Sequence, residues 1–102
     1  MKECCSIYLN EQFGGDADVV KEIYDEYAAS TRSKLTEASA AHAAGDWQIL
    51  DRIAHTIKGN ALAAGDTQMA ETAISLRQAA NLQDAERSAE LIGSLKSLAE
   101  EL

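Results

Sequence analysis

The dipeptide Gly-Asp occurs three times, at residues 15–16, 45–46 and 65–66, and each copy lies between two stretches with helical hydrophobic periodicity. Glycine adopts the left-handed conformation that ends a helix, and aspartate is a favoured N-cap residue for the helix that follows. Each copy therefore predicts a junction between two helices. Asp84 predicts a fourth N-cap further along the chain.

These junctions divide the chain into five helices. We expect a short helix at residues 3–13, a long one at about 16–43, and three more at about 46–64, 66–81 and 84–101. The chain has no proline and is rich in alanine, leucine and glutamate, which favours an all-α fold. Because short connections join antiparallel neighbours, the predicted architecture is an up-down antiparallel four-helix bundle with a short extra N-terminal helix. The length of 102 residues suits a single domain, 1–102.

The net charge of −8 repels phosphate backbones and anionic lipid, so neither nucleic acid nor a membrane surface is an expected partner. No apolar run reaches the length of a membrane span, and the first residues lack the apolar core of a signal peptide, which favours a cytoplasmic protein. The same charge weakly disfavours self-association, so a monomer is favoured. Neither the adjacent Cys4 and Cys5 nor the two histidines have the spacing of a metal site, and no metal is expected.

The stretch around His55 carries the strongest functional signal. At about 100° per residue, a helix here has a tight apolar stripe, formed by Leu50, Ile53, Ile57 and Ala61. His55 projects roughly 140° away from that stripe, into solvent. Gly59 lies one turn further on the same outer face, and Lys58 lies on the flank between the two faces.

Gly59 is informative because glycine inside a helix costs about 1 kcal/mol relative to alanine. Alanine is used freely at neighbouring positions, so we interpret Gly59 as clearance for a large partner that approaches the histidine ring closely. The alternative is that Gly59 relieves packing against a neighbouring helix, although its outward direction argues against this.

The chemistry available at this position is that of an exposed nucleophile. A neutral imidazole attacks phosphorus to give a phosphoramidate, which passes its phosphoryl group onward. Lys58 would offset the charge of the phosphoryl oxygens. The sequence has no nucleotide-binding loop and no acidic cluster near His55, so a partner would supply the metal and the donor or acceptor. On spacing alone, an inert surface histidine remains the alternative.

Residues 54–60, Ala-His-Thr-Ile-Lys-Gly-Asn, resemble the His-x-x-Lys-Gly signature of histidine-containing phosphotransfer (HPt) domains. The likeness extends to Phe-Gly-Gly-Asp at 13–16, to Ala-Gly-Asp-Trp at 44–47 and to Gly65, and so covers nearly the whole chain. The fold that this resemblance implies is a four-helix bundle with a short N-terminal helix, which agrees with the expectation above.

The resemblance implies an intermediate in a multistep phosphorelay of the two-component type. His55 would accept phosphoryl from a receiver-domain aspartate, or from a histidine kinase, and pass it to an aspartate of a response regulator. Lys58 would stabilise the phosphohistidine, and Gly59 would be the clearance position. The protein would be a covalent carrier with no cofactor of its own. The partner receiver domain would supply Mg²⁺, and the partner receiver or kinase would supply most of the catalysis. The expected partners are the receiver domain of a response regulator, a hybrid sensor histidine kinase, or both.

One position departs from the family pattern. Family members often place Gln or Glu after a leucine on the helix that faces the active histidine, whereas here Leu76 is followed by Arg77. Arginine cannot accept a hydrogen bond from the ring N–H, but it pairs well with phosphoryl oxygens. The hypothesis is that Arg77 supports the phosphorylated form, and the alternative is a solvated flank residue.

Partner contact is expected on the outer face of the histidine helix. Leu62 projects about 120° from the buried stripe, so a large apolar residue is predicted to be exposed there. With Ala54 and Gly59 it would form a small apolar rim, flanked by Asp51 and Arg52.

Two other functions remain open at this point. A helical scaffold would dimerise or bind a partner without phosphorylation, but it would not need His55 with Lys58 and Gly59. A phosphoacceptor domain cut from a larger histidine kinase would use similar chemistry with ATP as the donor. Met1 and an end soon after the last helix favour a free-standing protein.

Overall fold

The computed structural model describes residues 1–102 and contains five α-helices. They are α1 Glu3–Gln12, α2 Ala17–Ala44, α3 Trp47–Ala64, α4 Thr67–Asn81 and α5 Ala85–Glu100. The fold is all-helical, as predicted, and no helix end differs from its expected position by more than one residue. None of the helices is long and apolar enough to cross a membrane.

Four aspartates define the helix starts, because each accepts a hydrogen bond from a backbone N–H two or three residues further on. They are Asp16, Asp46, Asp66 and Asp84. At the preceding ends, Gly45 (φ 66°) and Gly65 (φ 74°) adopt the left-handed conformation that glycine tolerates best. The connections are therefore short, and successive helices run antiparallel.

Helices α2 to α5 form a closed ring of neighbours, in which α3 packs on α2 and α4, and α5 packs on the same two helices from the other side. The short α1 lies against α2 and α3 and contributes Cys5 and Leu9 to the core. The largest fully buried side chains include Leu50, Ile57 and Leu76. The residues of α3 opposite this core are therefore directed to solvent.

Asp66 joins three parts of the chain at one end of the bundle. Its side chain is 1% exposed and accepts hydrogen bonds from the Tyr27 hydroxyl at 2.7 Å and from Lys2 Nζ at 3.0 Å. Burial and the bond to Asp66 raise the pKa of Tyr27. Burial, Cys4 and Asp66 together raise the pKa of the neighbouring Cys5 thiol to about 12, so this thiol stays protonated and packs as a small apolar side chain.

Candidate functional site

His55 lies in the middle of α3 and its side chain is exposed. The helix phase that directs it outward is set by the apolar stripe, and all four predicted members of that stripe are buried: Leu50, Ile53, Ile57 and Ala61. Both the predicted stripe and the predicted outward direction of His55 are thus confirmed.

The ring of His55 is held on one side by α4. Arg77 Nη1 lies 3.1 Å from His55 Nδ1, and Arg77 Nε donates to Asp51 Oδ1 at 3.0 Å. Asn81 Nδ2 donates to the same Asp51 oxygen at 3.2 Å. His55 Nε2 has no hydrogen-bond partner in the protein, so it is the ring nitrogen available to a second molecule. Arg77 therefore contacts the ring and is not a solvated flank residue.

Lys58 and Gly59 lie on the next turn of α3. Lys58 is half-buried and forms neither an ion pair nor a side-chain hydrogen bond, so its ammonium group is available for an anion near the ring. A Cβ placed on Gly59 would meet no atom within 4 Å. The alternative that Gly59 relieves packing against a neighbouring helix is therefore wrong, because there is open space where a side chain would be.

Of the residues predicted to form the apolar rim, Leu62 is exposed as expected, whereas the exposure expected for Ala54 is wrong. Leu62 is 53% exposed, whereas Ala54 is fully buried at 0% exposure. Ala54 lies four residues after Leu50 and three before Ile57, which places it over the buried stripe. Since α3 contacts α1, α2 and α4, its buried arc is wider than one stripe and includes this position.

Arg52 is exposed and has no ion-pair partner, whereas Asp51 is half-buried in the network with Arg77 and Asn81. Three cationic side chains lie close to His55. Arg52 and Lys58 are three residues from it in the sequence, and Arg77 contacts its ring, although the chain as a whole has a net charge of −8. This local positive charge suits a doubly negative ligand. Whether Asp51 and Arg52 contact a partner remains a prediction.

Two features of the site are not predicted from the sequence. The first is the hydrogen bond from Asn81 to Asp51. The second is a shallow groove between α1 and the end of α3, lined by Ile7, Tyr8 and Leu62 among others. Ile7 is 55% exposed, although it lies midway in the sequence between Cys5 and Leu9, which are both fully buried. That spacing is the signal that could have been used, because it places Ile7 on the opposite face of a helix.

The architecture and the site together define a class of protein: an all-helical bundle that presents an exposed histidine, with cations beside it and a glycine one turn further on. The family model described as Hpt domain matches residues 22–102, and the chain belongs to the Hpt domain family. Hpt domains are helical bundles with a general role in histidine phosphotransfer in phosphorelays, in which they interact with receiver domains and kinases. Searches of curated proteins and of solved structures gave no match.

Substitution of Gly59 tests the clearance function directly. Gly59→Ala is expected to stabilise the fold by about 1 kcal/mol, because alanine is the better helix former and its methyl group meets no neighbour. Gly59→Phe is expected to keep the fold but to slow phosphoryl transfer from a receiver domain by about tenfold or more, because the ring would occupy the approach to His55. Thermal unfolding and transfer kinetics measure the two effects.

Gly93 provides a matched control. It is also a helical glycine with no atom within 4 Å of an added Cβ, but it lies on α5, which packs on α2 and α4. Gly93→Phe is expected to leave transfer unchanged. Equal slowing by the Gly59 and Gly93 variants would show that the clearance assignment is incorrect.

Proposed function

We propose that this protein is a phosphorelay carrier in which Nε2 of His55 is the phosphoacceptor. It takes phosphoryl from a receiver-domain aspartyl phosphate, or from a histidine kinase, and passes it to an aspartate of a response regulator. The observation that supports this most directly is the exposed ring of His55, with its Nε2 unpartnered and with Lys58 and Arg77 beside it. We also propose that residues 1–102 act as a single domain, as a monomer and in the cytoplasm.

The transfer step is an in-line displacement at phosphorus. The lone pair of Nε2 forms the N–P bond as the O–P bond of the receiver's aspartyl phosphate breaks, leaving a carboxylate on the receiver. Lys58 lies three residues from His55 on the same helix, so its ammonium group is in reach of the phosphoryl oxygens. Gly59 leaves space for the receiver loops that carry the aspartate.

The residues around His55 do not fit a divalent cation of their own. The carboxylate in the network, Asp51, is already bonded to Arg77 and Asn81, and two of the side chains nearest in sequence, Arg52 and Lys58, are cationic. We therefore propose that the partner receiver domain supplies Mg²⁺, which neutralises charge on the phosphoryl group during transfer.

Incubation with receiver domains phosphorylated on aspartate tests this function. The expected product is a phosphoprotein whose label is lost in acid and kept in base, as for a phosphoramidate. A helical scaffold would take up no label. If receivers from several systems all fail to label the wild-type protein, the scaffold function is the better account.

Leu62 tests where the receiver docks. We propose that its exposed side chain, with the adjoining groove lined by Ile7 and Tyr8, forms the apolar part of the interface. Leu62→Asp is expected to raise the receiver concentration needed for half-maximal transfer by about tenfold, because it places a charge in a desolvated contact. Ala89→Asp adds the same charge at an exposed position of α5 and is expected to have no effect. An unchanged concentration dependence in the Leu62 variant would exclude this docking face.

A further inference from the structure

The hydrogen bond between Arg77 and His55 determines which ring nitrogen carries the proton. Arg77 Nη1 lies 3.1 Å from His55 Nδ1, and a guanidinium only donates hydrogen bonds. Nδ1 must therefore accept, with its lone pair directed at the guanidinium. In the neutral ring the single proton is then on Nε2.

This tautomer is opposed to the proposed reaction. A nitrogen that carries a proton has no lone pair in the ring plane, so Nε2 is not nucleophilic while Arg77 stays bonded to Nδ1. The reactive tautomer has its proton on Nδ1, and that N–H would be directed at a cation. The contact seen in the structure is therefore that of a resting state.

We propose that Arg77 is a positioning residue that holds resting His55 in the Nε2–H tautomer, and that phosphoryl transfer begins when its guanidinium leaves Nδ1. The effect on phosphoryl transfer rests on the proposed function, whereas the assignment of the resting tautomer does not depend on phosphorylation. Asp51 holds the Arg77 side chain while the guanidinium moves. Its Oδ1 accepts a hydrogen bond from Arg77 Nε at 3.0 Å and a second one from Asn81. The guanidinium leaves the ring while it remains paired with Asp51.

The proton balance follows from this arrangement. When Arg77 leaves, Nε2 gives its proton to water and Nδ1 takes one from water, which produces the nucleophilic tautomer. Nε2 then forms the N–P bond, the O–P bond of the receiver's aspartyl phosphate breaks, and the ring is briefly cationic. The Nδ1 proton is released to water, and the phosphorylated ring is neutral again.

The same hydrogen bond fits the phosphorylated product. In phospho-His55 the phosphoryl group takes the place of the Nε2 proton, and Nδ1 again has a free lone pair for Arg77. Hydrolysis of the N–P bond by water requires a proton on Nδ1, because the imidazole then leaves as a neutral molecule. Arg77 occupies that lone pair and so opposes hydrolysis.

Nitrogen-15 NMR of the unphosphorylated protein tests the tautomer. We expect His55 Nδ1 to have a pyridine-like and Nε2 a pyrrole-like chemical shift. His42 is an internal reference, because its Nε2 lies 2.8 Å from the Ala85 carbonyl, which only accepts, and its proton is therefore also on Nε2. Arg77→Met, which removes the donor but keeps an unbranched side chain, is expected to move both His55 shifts towards a mixture of tautomers.

Arg77→Lys restores a donor and is expected to restore the wild-type shifts, whereas Arg87→Met on α5 is expected to leave them unchanged. The half-life of phospho-His55 should fall by about fivefold in Arg77→Met, the size expected from one hydrogen bond, and recover in Arg77→Lys. A pyrrole-like Nδ1 in the wild type, or identical His55 shifts in Arg77→Met, would overturn the tautomer assignment even if His55 is phosphorylated. An unchanged half-life would overturn the protection of the product. Absence of labelling in the wild type would instead count against the proposed function and leave the NMR result standing.

Discussion

Replacing His55 with glutamine is expected to reduce labelling by a phosphorylated receiver by about 100-fold or more, to background. Glutamine is polar and tolerates an exposed helical position, but its amide nitrogen has no lone pair available to attack phosphorus. The fold should be kept to within about 0.5 kcal/mol, because the substituted side chain is on the surface. Label that is kept in base and lost in acid measures the first effect, and thermal unfolding measures the second.

The second histidine is the control for this experiment. His42 lies near the end of α2, and its Nε2 bonds to the Ala85 carbonyl. His42→Gln keeps a group that can donate to that carbonyl and is expected to be labelled like the wild type. If the His55 variant still took up acid-labile label, or if His42→Gln lost it, the phosphoacceptor would have been assigned to the wrong residue.

Replacing Asp66 with alanine is expected to lower the free energy of unfolding by about 3–5 kcal/mol, the largest effect on stability of any substitution considered. Asp66 is 1% exposed, and its removal leaves the Tyr27 hydroxyl and the Lys2 ammonium group without their acceptor. It also removes the N-cap of α4. Small domains have only about 5–15 kcal/mol of stability in total, so the variant should unfold at a markedly lower denaturant concentration.

A substitution of Asp84 separates the stability lost with an N-cap from the stability lost with the buried hydrogen bonds of Asp66. Asp84 caps α5 in the same way through Arg87 N, but its side chain is exposed and has no other partner. Asp84→Ala should therefore cost only about 1 kcal/mol. Equal destabilisation by the two variants would mean that the bonds to Tyr27 and Lys2 contribute little.

Much of the fold could be predicted from the sequence because the relevant interactions are local. Gly45 and Asp46 end one helix and begin the next through contacts with their own neighbours in the chain. Within α3, the spacing of its apolar residues is enough to direct His55 and Leu62 outward. The burial of Ala54 could not be predicted in this way, because the width of the buried arc depends on how many helices pack against α3, and periodicity within one helix does not give that number.

Capping and helical periodicity act over distances of a few residues, so the five helices, their ends and the outward direction of His55 could be predicted from the sequence. Two contacts could not be predicted in this way: Arg77 bonds to the His55 ring, 22 residues away in the chain, and Lys2 bonds to Asp66, 64 residues away. The physical reason is that such contacts depend on how far one helix is shifted along its neighbour. That shift is set by the packing of whole side-chain surfaces, and no short segment of the sequence encodes it.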